Sequence, residues 1–237
     1  MKKLVALALV AISASVASAD ATWCQLSFYS PGDLMLPWAR SDVYGLRLDL
    51  PYGNNKGCLL GADIGVVGML SDKMIGFEAT AFNLVDLASV KGLQFGAIAN
   101  RDRDFQGLQI AGIVNWNEDE SAGVQLGSVN YGGGFAGLQI GGVSWMTGNF
   151  VGVTFDGAFT SRNDFTGWSL AGFNYGLKDV SGLQMGGINV AAETSAGLQI
   201  GFLNFAKHHE GVQLGLININ SYGFLPCFPI LNFNFIR

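Results

Sequence analysis

Charge is scarce in this chain. Asp, Glu, Lys and Arg make up 13% of it, as 13 basic against 18 acidic residues. That balance disfavours a nucleic-acid partner, because neutralising a phosphate backbone takes clustered Lys and Arg. Histidine is scarcer still. The two present, His208 and His209, are adjacent and followed by Glu210. Neighbours on one link rarely converge on one ion and no third ligand lies near, so they read as a solvated turn. They also leave no Ser-His-Asp arrangement. Glu118-Asp119-Glu120 lacks the alternating oxygens and the Gly of a calcium loop and reads as a charged turn. The three cysteines, Cys24, Cys58 and Cys227, include no C-x-x-C pair. Their odd count and wide spacing argue against a disulfide framework, and they read as packing residues. No helix-period segment follows the first nineteen residues. No catalytic, cofactor or metal site is expected.

The first nineteen residues have the pattern of a signal peptide. Lys2 and Lys3 form a basic start, Leu4 to Ile12 an apolar core, and Ala17-Ser18-Ala19 a small-residue cleavage site before Asp20. The apolar run is far short of the roughly 20 residues that cross a bilayer as a helix. Export is therefore the expectation. Cleavage removes two basic residues, leaving 11 against 18 acidic, so the net charge moves from -5 to -7. The chain is rich in glycine, with 34 residues, but its plentiful, periodic apolar residues separate it from low-complexity disorder.

Glycine marks a repeat. Gly137-Leu-Gln-Ile-Gly-Gly-Val has close copies beginning at Gly92, Gly107, Gly123, Gly182, Gly197 and Gly211. Worn copies begin at Gly152 and Gly167, and earlier ones at Gly45, Gly61 and Gly76. The twelve leading glycines are 14 to 16 residues apart, and residues 20–237 read as a single repeat domain. Within a repeat, apolar and polar or small residues alternate, as in Tyr44, Leu46, Leu48 and Leu50 against Gly45, Arg47 and Asp49. Such period-two patterning predicts strands, and polar links such as 102–104, 117–120 and 161–164 predict turns.

An all-β repeat of this length has two solutions. The expectation is an up-and-down antiparallel β-barrel of about 14 strands, of outer-membrane type. Units of about eleven residues suit tilted membrane strands, and an even strand count returns both ends to the periplasmic side. The longest links, Pro31 to Asp42 and Ser221 to Pro226, then lie outside the cell. One feature resists this. Val143 and Trp145 fall on the Gln face unless a bulge at Gly141-Gly142 shifts the phase and returns them to the lipid face with Leu138 and Ile140. The alternative is a parallel β-solenoid with coils of about 15 residues, supported by polar residues recurring at intervals of about five. Against it, a small coil enclosing Leu183, Met185, Ile188 and Val190 would be overfilled.

The repeat Gly-Leu-Gln-Ile-Gly-x-Val-Asn, the opening Val43-Tyr-Gly-Leu-Arg-Leu and the close Gly223-Phe-Leu-Pro-Cys-Phe-Pro together resemble a bacterial surface-repeat family. Its exported members end in a Phe-Leu-Pro-x-Phe-Pro segment. The resemblance covers about residues 24–235 and implies a cell-surface or outer-membrane location without an activity. The alternating Leu231, Phe233 and Phe235 also resemble the aromatic end strand of outer-membrane barrels, which implies contact with the barrel-assembly machinery. Ile236 and Arg237 then stand where the usual last residue would be Phe.

The second residue after each leading glycine is always polar: Arg47, Asp63, Glu78, Gln94, Gln109, Gln125, Gln139, Thr154, Ser169, Gln184, Gln199 and Gln213. With Asp49 they would belt the lumen of a barrel. The expected role is a non-enzymatic outer-membrane barrel forming a passive channel for small polar or cationic solutes. Lipid is then the partner of its outer face. In a plugged or narrow barrel the same residues would merely satisfy one another. On the solenoid alternative the protein is a structural or adhesive binding module at the surface.

Overall fold

Alternation of apolar and polar residues produces strands here, and the spacing of the glycines sets how they stack. The computed structural model describes residues 21–28, 35–36, 42–70, 72–85, 89–223 and 225–235, and is all-β. The signal-peptide expectation, Trp38 and residues 236–237 lie outside the described residues. Two compact units are present, one ending at Gly112 and the other beginning at Ile113.

The first unit contains β1 (Ala21–Phe28), β2 (Met35–Leu36), β3 (Asp42–Asn55), β4 (Leu59–Leu70), β5 (Lys73–Val85), β6 (Ser89–Asp102) and β7 (Asp104–Ala111). From β3 to β7 each strand pairs in parallel with the next, and Gly45, Gly61, Gly76, Gly92 and Gly107 face one another in register. β1 joins in parallel to β3, with Gln25 opposite Arg47. Val43, Leu59, Met74, Val90 and Phe105, each two residues before a leading glycine, form a buried apolar column.

The second unit contains β8 (Val114–Met146), β9 (Phe150–Ser161), β10 (Phe165–Gly176), β11 (Val180–Met185), β12 (Ile188–Ile200), β13 (Leu203–Asn220) and β14 (Cys227–Asn234). Again the pairing is parallel and one repeat apart, aligning Gly137, Gly152, Gly167, Gly182, Gly197 and Gly211. The buried apolar column is aromatic here. Phe135 stacks on Phe150 at 5.9 Å and Phe150 on Phe165 at 5.5 Å, with Phe159 edge-on to the last two. β14 reverses direction and lies antiparallel on β13.

Each unit is therefore a parallel β-solenoid, and the antiparallel barrel is not formed. Among the described residues the antiparallel pairings are β1 with β2 and β13 with β14. A barrel needs a hairpin at every link, whereas these links carry the chain around one coil. β14, expected as a closing barrel strand, instead ends the second unit. The coil is not overfilled, because the polar face and not the apolar one is turned inside. Gln184 and Asn189 are buried, while Met185 and Ile188 are exposed.

The phase shift at the paired glycines is real, but it is a corner and no bulge in a barrel wall. Pairing between β8 and β9 runs to Gly141 opposite Asp156, skips one residue, and resumes at Val143 opposite Ala158. Two successive residues at the turn face outward, so alternation restarts with Val143 and Trp145 on the outside. The coil also makes the repeat a removable unit. Deleting residues 152–166 as a block brings Val151 onto Gly167 and keeps glycine opposite glycine. A folded, shorter second unit is expected, seen as a retained cooperative β transition in circular dichroism. Loss of that transition would contradict the coil.

Candidate functional site

All twelve predicted belt residues, and Asp49, are buried. They face inward as the alternation requires, but the space they face is the inside of a coil in place of a barrel lumen. In the second unit they form a hydrogen-bonded ladder. Gln139 Nε2 donates to Gln125 Oε1 at 2.6 Å, Gln199 Nε2 to Gln184 Oε1 at 2.7 Å and Gln213 Nε2 to Gln199 Oε1 at 2.8 Å. Strand spacing of about 4.8 Å suits an amide reaching from one coil to the next. Asn232 on β14 closes the run by donating to Gln213 Oε1 at 3.3 Å.

The worn copies have side chains too short for that reach, and bond within their own coil. Thr154 donates to Asp156, which also accepts from Ser144 Oγ at 2.8 Å, and Ser169 donates to Asn174. Burial pushes the Asp156 carboxyl above its ordinary range, and these hydroxyl donors work against that shift.

A second ladder was not singled out as a site from the sequence, although the recurring Val-Asn and Phe-Asn pairs and the five-residue polar interval were its signal. Asn174 donates to Asn189, Asn189 to Asn204 and Asn204 to Asn218, each at 2.7 Å. The same amides bond the backbone just before the next coil's corner, Asn189 to the Ile200 carbonyl and Asn204 to the Leu214 carbonyl, both at 2.9 Å. These contacts explain the corner glycines. A Cβ on Gly201 would sit 2.7 Å from Asn189 Nδ2. Asparagine thus fixes the turn that glycine permits.

The first unit carries the charged end of the series. Arg47 pairs with Asp63 and, at 3.1 Å, with Asp49. Gln94 Nε2 donates to Glu78 Oε2 at 2.9 Å and to Asp102 Oδ1 at 3.0 Å, and Gln109 Nε2 to Gln94 Oε1 at 2.8 Å. Asp102, expected as a link residue, is buried and joins this group.

Two further expectations change. His208 is exposed and stacks on Tyr222, but His209 is buried and takes the inward place two residues before Gly211, with Nδ1 2.5 Å from Ser195 Oγ. Burial lowers its pKa. The cysteines are free, with Cys24 and Cys227 exposed in place of packed, because they fall on outward positions. Cys58 Sγ lies 3.3 Å from Asp72 Oδ2, and partial burial with that carboxylate raises its thiol to about 11. Glu118, Asp119 and Glu120 are exposed.

The outward positions reverse the usual arrangement. In the second unit, Ile140, Phe155, Met185 and Leu214 follow one outer column and Val143, Phe173, Ile188 and Ile217 another, all exposed. Among the described residues of the second unit, no charged residue stands at an outward position between a leading glycine and the next link. Outward charge in the second unit stands in the links, for example Arg162, Asp164, Lys178 and Asp179. Trp116, Tyr131, Trp145 and Tyr175 each come just before a link, charged after Trp116 and Tyr175, and the Arg162 guanidinium lies over the Trp145 ring at 5.2 Å. Fold and site together define a parallel β-solenoid repeat protein with hydrogen-bonded polar ladders inside and apolar columns outside. No family model, curated protein or solved structure matches the chain.

Proposed function

We propose that this is an exported, non-enzymatic β-solenoid of the bacterial surface-repeat kind, which lies on outer-membrane lipid through its outward apolar columns. The observation that carries the reading is the inversion itself. Polar side chains occupy the interior while Trp168, Val151 and Phe155 are 59%, 53% and 43% exposed. An apolar surface of this continuity marks an interaction face. Lipid suits it better than a protein partner because three zones succeed one another. A band of aliphatic and aromatic side chains comes first, then Trp and Tyr at its edge, then polar or charged links, as at a membrane–water interface. The interior is filled by side chains, so the proposal places the function on the outer face and not in a channel.

The test is flotation of the mature protein with vesicles of phosphatidylethanolamine and phosphatidylglycerol. Wild type is expected to rise with the lipid. Trp168→Asp combined with Phe155→Asp is expected to reduce flotation at least tenfold while leaving the β signal intact, since both side chains are exposed. A wild-type protein that remains a monomer in detergent-free buffer and does not float would overturn the proposal. Assembly into a defined oligomer that ignores vesicles would do the same, pointing instead to a second copy on that face.

A further inference from the structure

Inside the first unit four carboxylates share one guanidinium. Arg47 and Asp49 come from β3, Asp63 from β4, Glu78 from β5 and Asp102 from the end of β6, and all are buried. Arg47 is committed to Asp63 and Asp49. Among the described residues Glu78 and Asp102 have no salt bridge within 4 Å, and they are joined through Gln94. Gln109 Nε2 adds a bond to Asp102 Oδ2 at 2.6 Å. β1 brings only neutral Gln25 and Ser27 to this column, and the next charge, Asp104 on β7, is another carboxylate. Among the described residues, full ionisation would leave three negative charges uncompensated in a buried interior, which costs far more than neutralising them.

A second observation points to what neutralises them. Glu78 Oε1 and Asp63 Oδ1 are buried without a hydrogen-bond partner. Glu78 Oε1 and the other Asp63 oxygen, Oδ2, flank the space beside Gly68, where a Cβ would lie 3.0 Å from each. No group of three acidic, His or Cys side chains among the described residues is placed to hold a metal ion. A protonated carboxyl carries its own donor and needs no cation.

We infer that the interior of the first unit is a proton-binding site, in which Glu78, Asp102 and Asp49 hold protons that the unfolded chain gives up. The acidity of the groups agrees. Burial raises Asp102 to about 8, against the bonds from Gln94 and with help from Asp104. It raises Asp49 to about 7, against Arg47 and with help from Asp63. Glu78 is pushed well above its usual value by burial and then by Asp63 and Asp102. In the unfolded chain such groups titrate near about 4. The folded unit therefore binds more protons than the unfolded one between about pH 4 and 8, and its stability falls as pH rises through that window. Each retained proton makes the unfolding constant about tenfold larger per pH unit.

The experiment uses the mature full-length chain between pH 7 and 8.5, where an ordinary His, titrating near about 6.5, is mostly neutral. Urea unfolding is followed with protonated-carboxyl absorption in the infrared. Wild type should show that absorption at pH 7 and lose stability as pH rises. Glu78→Gln should remove part of the absorption, flatten the dependence by close to one proton, and be the more stable protein at pH 8.5. Should that variant not fold, wild type alone decides, because unfolding at pH 7 in weak buffer must release protons. Absence of the absorption, or unfolding without proton release, would overturn the inference. Neither outcome bears on lipid binding.

Discussion

Gly167→Ala is expected to cost the second unit about 4 kcal/mol or more, in the range reserved for breaking a structural keystone. Gly167 has φ +138, and an added Cβ would lie 1.8 Å from the Gly152 carbonyl oxygen. The obstacle is backbone, which cannot move aside without opening the parallel ladder. The neighbouring coils repeat the constraint, with Gly152 against the Gly137 carbonyl at 1.9 Å and Gly182 against Gly167 at 2.1 Å. Relief at one coil therefore strains the next. Gly187→Ala provides the control. Its nearest obstacle is the Gly172 carbonyl oxygen at 3.1 Å, and its φ lies outside the positive region, so a cost below about 1 kcal/mol is expected. Urea unfolding monitored by the β signal in far-ultraviolet circular dichroism distinguishes the two. A Gly167→Ala protein within 1 kcal/mol of wild type would mean that the stacked glycines are not what holds the coils at this spacing.

Much of this was legible in the sequence, and the part that was not has a specific physical origin. The repeat period, the two faces of each strand and the inward series from Arg47 to Gln213 all follow from alternation. The break at Gly141-Gly142 was legible too. What alternation does not encode is which neighbour a strand takes. A stave of a barrel and a segment of a coil carry the same period of two. The choice turned on which face was taken as the inside. With Leu183, Met185, Ile188 and Val190 inside, a coil of this size is overfilled. With Gln184 and Asn189 inside, it closes around two amide ladders and an aromatic column. Hydrophobic burial is a sound default, but amide ladders from coil to coil, with hydroxyl bonds within the coils at Thr154 and Ser169, make a polar interior stable in its place. His209 and Asp102 were misplaced for a related reason. Both look like link residues by charge, and both are inward by position.

Gln199→Leu is expected to destabilise the second unit by about 2–6 kcal/mol, although it puts an apolar side chain of similar size into a buried place. It removes two ladder bonds, to Gln184 Oε1 and from Gln213 Nε2. Gln184 Oε1 is left without the amide that it accepts from. Gln213 Nε2 keeps only the Ile219 carbonyl, at 3.2 Å. Each buried polar group so stranded costs about 1–3 kcal/mol. The outward exchange runs the other way. Trp168→Gln, at a position 59% exposed, is expected to change stability by no more than about 0.5 kcal/mol while weakening vesicle binding. In a protein with an apolar interior the ranking of these two substitutions would be reversed. The triple variant Gln184→Leu, Gln199→Leu, Gln213→Leu sharpens the point. Replacing both members of a hydrogen bond strands nothing between them, so its cost should fall well below the sum of the three single costs. Additive losses would show that the glutamines act one by one. A marked shortfall would show that the ladder acts as a unit, with its penalty at the ends, toward Ser169 on one side and Asn232 on the other.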